Sequence, residues 1–424
     1  MIRTLISSDN LNQAYLKVYR NKGSSGVDGM EVQGLKSHLA LHKANYIKSI
    51  EKGNYKVSPI LGVEIPKGSG NFRLLGIPTA IDRVFQQALQ QVLHPVFEQD
   101  FQRHSYGFRP NRNAQQAVTQ SLHNINSGYQ DIVDIDLKSF FDEVEHHILL
   151  ELIYKRVKCY QTLKLLRQFL RAPIQIKGKL VKRRKGVPQG SPLSPLLSNI
   201  LLNELDKELE SRGHRYVRYA DDFSIYVKSK KAAKRVGNSI YKFLSSKLHL
   251  PINQTKSGIR RPTTFTCLGY GFAPTYKKGE KGRYQLIVDQ SSWKSFKSKL
   301  KKLTKKTHPI SFSERITRLN RLISGWINYF KQGAIQSKLK KLDEWLRNRL
   351  RYCIWHHWKK PERKRKNLIR LGIKPGQAYA WSRTNMGGWA VAQSPILGTT
   401  ITLSRLKSKG YMSMQEYHQK IKHH

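Results

Sequence analysis

The chain has 424 residues and a formal net charge of +49, from 77 Lys and Arg against 28 Asp and Glu. This length predicts two or three domains, and so large a positive charge predicts a polyanionic partner, with nucleic acid as the first expectation. The sequence argues against a membrane or secreted protein, because no stretch approaches the roughly 18 apolar residues of a spanning helix, the N-terminus lacks a signal-peptide core, and only Cys159, Cys267 and Cys353 occur.

The first two thirds of the chain are predicted to form an α+β core. Residues 1 to about 130 alternate helical stretches with turn clusters such as Gly23-Ser24-Ser25-Gly26. Residues 131–272 mix short β-branched runs, at 131–137, 216–227 and 265–272, with helical segments such as 194–210.

Beyond residue 291 the sequence becomes helical and very basic. Between Lys294 and Arg370 it has 24 Lys and Arg against four acids. Apolar residues recur there at helical spacing: Ile316, Leu319, Ile323, Trp326, Ile327 and Phe330. We expect a helix that buries this stripe and lies along nucleic acid.

Two acidic segments of the core carry the strongest chemical signal. Tyr219-Ala220-Asp221-Asp222 stands between two β-rich arms, which predicts a hairpin with carboxylates at its tip. Upstream, alternation over 131–137 places Asp134 and Asp136 on one strand face, so Asp136 and Asp221 would face one another if the elements pair. Although an Asp-Asp pair alone is usually a plain turn, carboxylates from two strands suit phosphoryl transfer with two Mg²⁺ ions.

Several motifs in a fixed order carry a family resemblance. They are the Tyr-Ala-Asp-Asp turn, Asp136 with Phe141 five residues later, Val-Pro-Gln-Gly-Ser-Pro-Leu-Ser-Pro at 187–195, Ser-Tyr-Gly-Phe-Arg-Pro-Asn-Arg at 105–112, Gly-Val-Asp-Gly at 26–29 and Gly-Trp-Ile-Asn-Tyr-Phe at 325–330. Together they resemble group II intron-encoded reverse transcriptases over essentially the whole chain. The resemblance implies an α+β right-hand polymerase fold, with fingers and palm at 1–285, a helical thumb at 286–358 and a basic DNA-binding segment at 359–424.

For catalysis, the resemblance implies that Asp136, Asp221 and Asp222 bind two Mg²⁺ ions. Asp136 is preferred to Asp134 because only Asp136 has an aromatic residue, Phe141, at the family spacing. Asp134 is expected to be a satisfied polar residue at the strand edge.

The resemblance also implies a site for the incoming nucleotide. Lys67 and Arg73 resemble the fingers cations that hold the triphosphate, although exposed cations are often simply solvated. Gln189 and Gly190 resemble the segment that lies against nucleotide and template. Phe141 resembles the steric gate that selects deoxynucleotides; the alternative is plain core packing, which we expect for its neighbour Phe140.

Two further positions leave their roles open. Lys256 resembles a lysine that protonates the leaving pyrophosphate, but it could equally be a surface charge that neutralises phosphate. Ser191 replaces the second glycine of the common Pro-Gln-Gly-Gly, and its Cβ could narrow the nucleotide pocket.

The nucleic-acid contacts implied by the resemblance are basic and spread along the chain. Residues 265–272 resemble the primer grip, and Trp355 and Trp358 are expected either to stack on bases or to pack in a helical core. The expected basic contacts are Arg109, Arg112, Lys301, Lys302, Lys305, Lys306, Arg363, Lys364, Arg365 and Lys366.

The implied function is RNA-directed DNA synthesis combined with binding of the intron RNA for splicing and retrohoming. Expected partners are group II intron RNA, an RNA template with a DNA or RNA primer, target DNA and dNTPs, in the bacterial cytosol or at the nucleoid. No endonuclease motif follows the basic tail, which suggests a short family form. The alternatives are an intron-independent reverse transcriptase, for example in defence, and a splicing-only RNA-binding maturase; Phe141 argues against an RNA-dependent RNA polymerase.

Overall fold

The computed structural model describes residues 1–67, 71–276 and 282–422, with only the backbone at Lys67 and Asn71. The chain divides into two compact units, residues 1–261 and 262–424. The finer division at residues 285 and 358 stays a prediction. Among the described residues, no helix is both long and apolar enough to cross a membrane.

The first unit is a mixed structure with helices packed around two sheets. Its α-helices are α1 (Ile2–Ile6), α2 (Ser8–Asn21), α3 (Leu35–Glu51), α4 (Ala80–Glu98), α5 (Ala114–Asn126), α6 (Phe140–Glu143), α7 (His146–Arg156), α8 (Tyr160–Arg171), α9 (Ser194–Ser211) and α10 (Lys230–Lys247). A 3₁₀ turn spans Val32–Gly34.

Each sheet of this unit has four strands. The first has the order β2-β1-β4-β5, from β1 (Ile60–Lys67), β2 (Asn71–Ile77), β4 (Ile174–Ile176) and β5 (Lys179–Val181). The second has the order β6-β7-β3-β8, from β3 (Asp131–Ile135), β6 (Arg215–Tyr219), β7 (Asp222–Val227) and β8 (Gly258–Arg260). All neighbouring strands of this sheet are antiparallel, and the β6–β7 hairpin pairs with β3. The condition under which the sequence brings the two acidic segments together is therefore met.

The helix predicted at 194–210 is α9, which crosses the core. It begins with Pro195 in its first turn, where the missing N–H costs nothing. Leu201, Leu202, Leu205 and Leu209 are fully buried, so this helix is a support for the sheet that carries the carboxylates.

The second unit combines a small sheet with helices. The sheet has the order β11-β10-β9, from β9 (Thr266–Cys267), β10 (Tyr270–Pro274) and β11 (Tyr284–Val288), preceded by a 3₁₀ turn at Pro262–Thr264. The helices are α11 (Gln290–Leu303), α12 (Phe312–Phe330), α13 (Gln336–His357), α14 (Pro361–Arg370), α15 (Pro375–Ser382), α16 (Gly388–Gln393), α17 (Pro395–Gly398), α18 (Leu403–Ser408) and α19 (Met414–Lys422).

The apolar stripe predicted in the second unit lies on α12. Its members are buried except Trp326, which is half-buried. The Trp326 ring stacks on Phe296 of α11, with centroids 4.4 Å apart and planes 7° apart. The stripe therefore holds α12 against its neighbour, as its helical spacing predicted.

Candidate active site

The Tyr-Ala-Asp-Asp segment forms the predicted hairpin tip. Tyr219 and Asp222 are the last paired residues of β6 and β7, so Ala220 and Asp221 form a two-residue turn. Ala220 has a φ of +59°, a conformation that non-glycine residues rarely adopt and that needs support from surrounding structure. The turn presents Asp221 half-buried and Asp222 more exposed.

A buried arginine supplies part of that support. Arg218 is fully buried, and its guanidinium donates to the Ala220 carbonyl at 2.9 Å and the Asn199 side chain at 3.0 Å. It also pairs with the fully buried carboxylate of Asp206 on α9 and donates to Ser105 Oγ at 2.7 Å. The turn is thus fixed to the core through one side chain, which the sequence analysis did not identify.

A glycine lets a second segment approach the same turn. A Cβ at Gly107 would lie 2.3 Å from the Ala220 backbone nitrogen, so only glycine fits there. The Gly107 carbonyl accepts a hydrogen bond from Asn199 Nδ2 at 2.8 Å. In the Ser-Tyr-Gly-Phe-Arg-Pro motif, Ser105 and Gly107 therefore support the carboxylate turn.

Asp136 follows directly after β3, beside the hairpin. The register pairs Ile135 with Phe223. If this register is continued by one pair, Asp136 lies level with Asp222 and not, as expected, with Asp221. The segment at 251–257 holds Asp136 in place: Asn253 Nδ2 donates to its carboxylate at 2.9 Å, and its backbone N–H donates to Ser257 Oγ at 3.0 Å.

Asp134 is satisfied within the sheet, as predicted. Arg260 of β8 donates to its carboxylate at 2.7 Å. Asp134 therefore belongs to an ion pair within the sheet, whereas the Asp136 side chain remains partly exposed.

Burial and, to a smaller extent, neighbouring carboxylates raise the pKa values of the two aspartates of the turn. Loss of solvation, together with the charges of Asp134, Asp221 and Asp136, raises the pKa of Asp222 to about 7, although part of its side chain reaches solvent. Loss of solvation and the charge of Asp136 also raise the pKa of Asp221, while Arg73 lowers it. Such crowding of negative charge is relieved when a divalent cation binds.

The oxygen donors suit Mg²⁺ in type, but they are not gathered around a preformed centre. Over residues 1–67, 71–276 and 282–422, no three His, Cys, Asp or Glu side chains lie close enough together to hold an ion. Bringing these carboxylates closer together increases their mutual repulsion, which a divalent cation would offset.

Phe141 and the 187–190 segment are joined through the backbone. The Val187 N–H donates to the Phe141 carbonyl at 2.6 Å. The Phe140 ring is buried, as predicted, whereas Phe141 is half-buried and meets Phe140 edge-on, 5.2 Å between centroids. Phe141 thus keeps one part of its ring on the core and another part accessible.

The same segment packs against the strand that carries Arg73. The Gly76 N–H donates to the Gln189 carbonyl at 2.8 Å. Gly190 has a φ of +110°, and a Cβ there would lie 2.8 Å from the Gly76 carbonyl. Arg73 is exposed on β2, and the side chain of Lys67, predicted as its companion, lies outside the described residues.

Ser191 faces the interior of the protein. Its side chain is buried, and its hydroxyl donates to Gln86 Oε1 of α4 at 2.7 Å and accepts from the Leu193 N–H at 3.3 Å. The structure therefore does not support the expectation that this side chain narrows the nucleotide pocket. The side chain forms an internal hydrogen bond instead.

Lys256 lies beside Asp136, with its Nζ 3.8 Å from the Asp136 carboxylate and most of its side chain exposed. A cation there can meet a phosphate near the carboxylates. Both of its predicted roles, proton donor and neutralising charge, remain open.

The two predicted nucleic-acid contacts of the first unit differ in environment. Arg109 is buried, donates twice to Glu98 at 2.7 and 2.9 Å, and donates to the carbonyls of Gln102 and Ser105. The prediction that Arg109 contacts nucleic acid is therefore wrong. Its guanidinium donates only to groups of the protein itself in these contacts, so its role is structural. Arg112 is half-buried over the Tyr106 ring, 5.6 Å from its centroid.

In the second unit, the 265–272 segment forms a hairpin, with Leu268 and Gly269 at its turn, both at positive φ. The Leu268 carbonyl accepts a hydrogen bond from Tyr329 Oη at 3.0 Å. The turn of the expected primer grip is thus held by the end of α12.

The basic residues predicted to bind nucleic acid in this unit lie near its surface. Lys301, Lys302 and Lys305 are exposed, and Lys306 is half-buried over Tyr352. The run on α14 divides between faces: Lys364 lies over Trp355 at 4.4 Å and Arg365 over Tyr379 at 5.6 Å, whereas Arg363 and Lys366 border a cavity. Trp355 is buried in the core, while Trp358 is half-buried.

Comparison with known proteins agrees with this arrangement. Residues 65–272 match the family described as reverse transcriptase (RNA-dependent DNA polymerase), and residues 293–372 match the group II intron maturase-specific domain. Protein YkfC of Escherichia coli K12 is 31% identical over 299 residues, which cover 61% of this chain and 78% of that protein.

The chain belongs to the group II intron-encoded reverse transcriptase family. Another relative is the group II intron-encoded protein LtrA of Lactococcus lactis, 29% identical over 64% of this chain and 56% of its own length. A solved telomerase from Candida albicans aligns with a TM-score of 0.44 at 12% identity, over 81% of this chain and 68% of that one. The predicted α+β polymerase fold, the RNA-directed DNA polymerase activity and the link to intron splicing are confirmed at the level of the family.

Proposed function

We propose that Asp136, Asp221 and Asp222 form the polymerase centre of this reverse transcriptase and bind Mg²⁺. The observation that carries the proposal is the β6–β7 hairpin, whose turn presents Asp221 and Asp222 beside the end of β3, where Asp136 follows. When bound, two Mg²⁺ ions would stabilise the attacking and leaving oxygens of phosphoryl transfer.

The chain's own residues would position the reactants around this centre. Arg73 is exposed, and its charge lowers the pKa of the Asp221 carboxyl. It can therefore offset negative charge on the triphosphate of an incoming dNTP, and we propose that Lys67 does the same. The accessible part of Phe141 would lie under the sugar and collide with a 2′-OH. Gly190 would allow the template and the nucleotide to approach the backbone closely.

We further propose that the second unit binds the intron RNA, as well as the RNA template with its primer and the target DNA. The support is its surface charge: Lys301, Lys302 and Lys305 are exposed, in a region where basic residues greatly outnumber acids. Charge of this kind supplies affinity for phosphates without reading sequence.

Primer extension on an RNA template would test the polymerase centre. We expect the wild-type protein to extend a DNA primer with dNTPs in Mg²⁺ and to stop when the metal is chelated. Asp221→Ala should abolish extension, a loss of about a thousandfold or more, while RNA affinity stays within about twofold because the grip is spread over many cations.

A matched control is Asp9→Ala, an aspartate in the first turn of α2, which should extend normally. Comparable extension by Asp221→Ala and the wild type would refute the site. An equal loss of RNA binding would instead show that the substitution disturbs the fold.

A further inference from the structure

The second unit contains a cavity that the polymerase assignment leaves unexplained. It has a volume of about 500 Å³ and lies between the start of α12, the end of α13 and α14. This size falls within the roughly 300–1,000 Å³ range of sites for small ligands. Its apolar walls come from Ile310, Phe312, Cys353, Ile354 and Trp358.

One wall of the cavity is strongly cationic. Arg363, Lys366 and Arg370 line it from successive turns of α14, and all three side chains are exposed. Within the described part of the chain none of the three forms an ion pair, and no carboxylate lines the cavity. Glu362, the acid on the same helix, pairs instead with Arg383 at 3.4 Å.

A fourth cation fixes the floor. Arg315 is buried, and its guanidinium donates to the carbonyls of Leu303, Lys305 and His308 at 2.7 to 3.3 Å. Because its donors are used internally, Arg315 keeps the loop before α12 in place, and the floor of the cavity is preformed. The exposed cations of α14 remain available for a ligand.

The chemistry of the lining selects the ligand. Three cations that form no ion pair within the described residues favour an anion such as phosphate, whereas the aromatic side chains of Trp358 and Phe312 in the lining suit a flat group. A phosphate backbone alone would satisfy the cations and leave the apolar walls in water. A nucleotide has both groups, and an unpaired base can leave its strand to stack on an aromatic side chain.

We propose that this cavity takes one unpaired nucleotide of a bound nucleic-acid strand, with the base against Trp358 and Phe312 and the phosphate on Arg363, Lys366 and Arg370. The other face of α14, where Lys364 and Arg365 lie over aromatic rings of the protein, has no part in this site. Binding can be measured without dNTPs, so the outcome does not depend on the polymerase centre.

A binding experiment with the full chain compares three RNA hairpins: one with a single bulged uridine, one with an abasic bulge, and one fully paired. We expect the wild-type protein to bind the uridine bulge about tenfold more tightly than the abasic bulge, since stacking of one base has a magnitude of this order. Equal affinity for uridine and abasic bulges, found with RNA hairpins and with the same hairpins made of DNA, would overturn the proposal.

The matched variants are Arg363→Ala and Arg365→Ala, two exposed arginines on different faces of one helix. Arg363→Ala should weaken binding of the uridine bulge about fivefold and lower the salt slope by about 0.7, while Arg365→Ala should change both less. Equal losses would show that only diffuse charge acts. Unchanged melting temperatures would confirm that both variants fold.

Photo-cross-linking locates the base directly. With 5-iodouridine at the bulge, we expect an adduct on Trp358 or Phe312, and adducts only on other residues would overturn the proposal. The same hairpins made of DNA identify the strand: a preference for the base in RNA, in DNA or in both supports the cavity, and its absence in both refutes it.

Discussion

The chain uses positive charge in two ways, and the first and second units each supply a clear example of one of them. In the first unit, Arg218 and Arg109 are buried, and carboxylates and carbonyls inside the protein occupy their donors. In the second, Arg363 and Lys366 are exposed and form no ion pair within the described residues. Buried charge fixes geometry at a high cost of desolvation, whereas exposed charge supplies affinity that salt can screen.

This contrast predicts different consequences when charge is removed. Loss of a buried cation should lower stability and the rate of chemistry together. Loss of exposed cations should weaken binding and leave the rate at saturating substrate almost unchanged.

Among the substitutions that remove positive charge, the largest effect is expected at Arg218. Arg218→Met leaves the buried Asp206 carboxylate unpaired, which should destabilise the protein by about 3–5 kcal/mol. It also removes the donor that holds the Ala220 carbonyl, so the carboxylate turn should shift and DNA synthesis should fall about a hundredfold. Denaturant unfolding and single-nucleotide addition measure the two effects.

A double variant separates the two roles of Arg218. Arg218→Met with Asp206→Leu removes both buried charges, so most of the stability should return. Polymerase activity should stay low because the turn still lacks its donor. Wild-type activity in the double variant would mean that Arg218 contributes only to stability.

The next effect concerns the exposed charge of the second unit. Reversing Lys301, Lys302, Lys305 and Lys306 to Glu should weaken intron-RNA binding and flatten its dependence on salt, by about 0.9 per lost phosphate contact on a duplex. The rate of single-nucleotide addition at saturating primer-template should change much less. Affinity at several salt concentrations, compared with that rate, is the measurement.

The control is reversal of four exposed cations on α10, Lys230, Lys231, Lys234 and Arg235, which changes the net charge equally. An identical salt slope in both variants would show that net charge alone determines binding. An equal collapse of splicing assistance and DNA synthesis would show that the second unit cannot be separated from catalysis.

A smaller effect is expected at the steric gate. Phe141→Ala should admit ribonucleotides about tenfold more readily, because removal of the ring removes the clash with the 2′-OH. The measurement is the ratio of kcat/KM for dNTP and rNTP. Phe140→Leu, in the buried neighbour, should lower stability without changing this ratio; an unchanged ratio in Phe141→Ala would return Phe141 to the core.

The carboxylates could be predicted from sequence because their signals are local. Strand alternation and an Asp-Asp turn identified Asp134, Asp136 and the hairpin within a few residues of each position. Arg218 was missed because its partners, Asp206 and Ser105, lie 12 and 113 residues away. A cation between Tyr216-Val217 and Tyr219 in an apolar strand was the available signal, since a buried charge there requires a partner.

Arg109 shows the opposite error. The motif led to the prediction that this basic residue contacts nucleic acid. No local pattern indicates that Glu98 and two carbonyls occupy its guanidinium. Motifs identify residues that a fold requires, and only tertiary contacts distinguish those that bind a partner from those that hold the protein together.

Ser191→Gly should have the smallest effect on chemistry. Because the Ser191 hydroxyl donates to the buried Gln86 amide oxygen, its removal leaves that oxygen unsatisfied and should destabilise the protein by about 1–3 kcal/mol. A glycine also adds freedom to the unfolded chain. The rate of correct nucleotide addition and the misincorporation ratio should stay within about twofold, since the side chain faces the interior. Thermal unfolding and single-nucleotide kinetics on the same preparations would check both, with Ser198→Gly on α9 as a control for loss of a serine. A clear change in misincorporation at unchanged stability would show instead that the Ser191 Cβ reaches the nucleotide pocket.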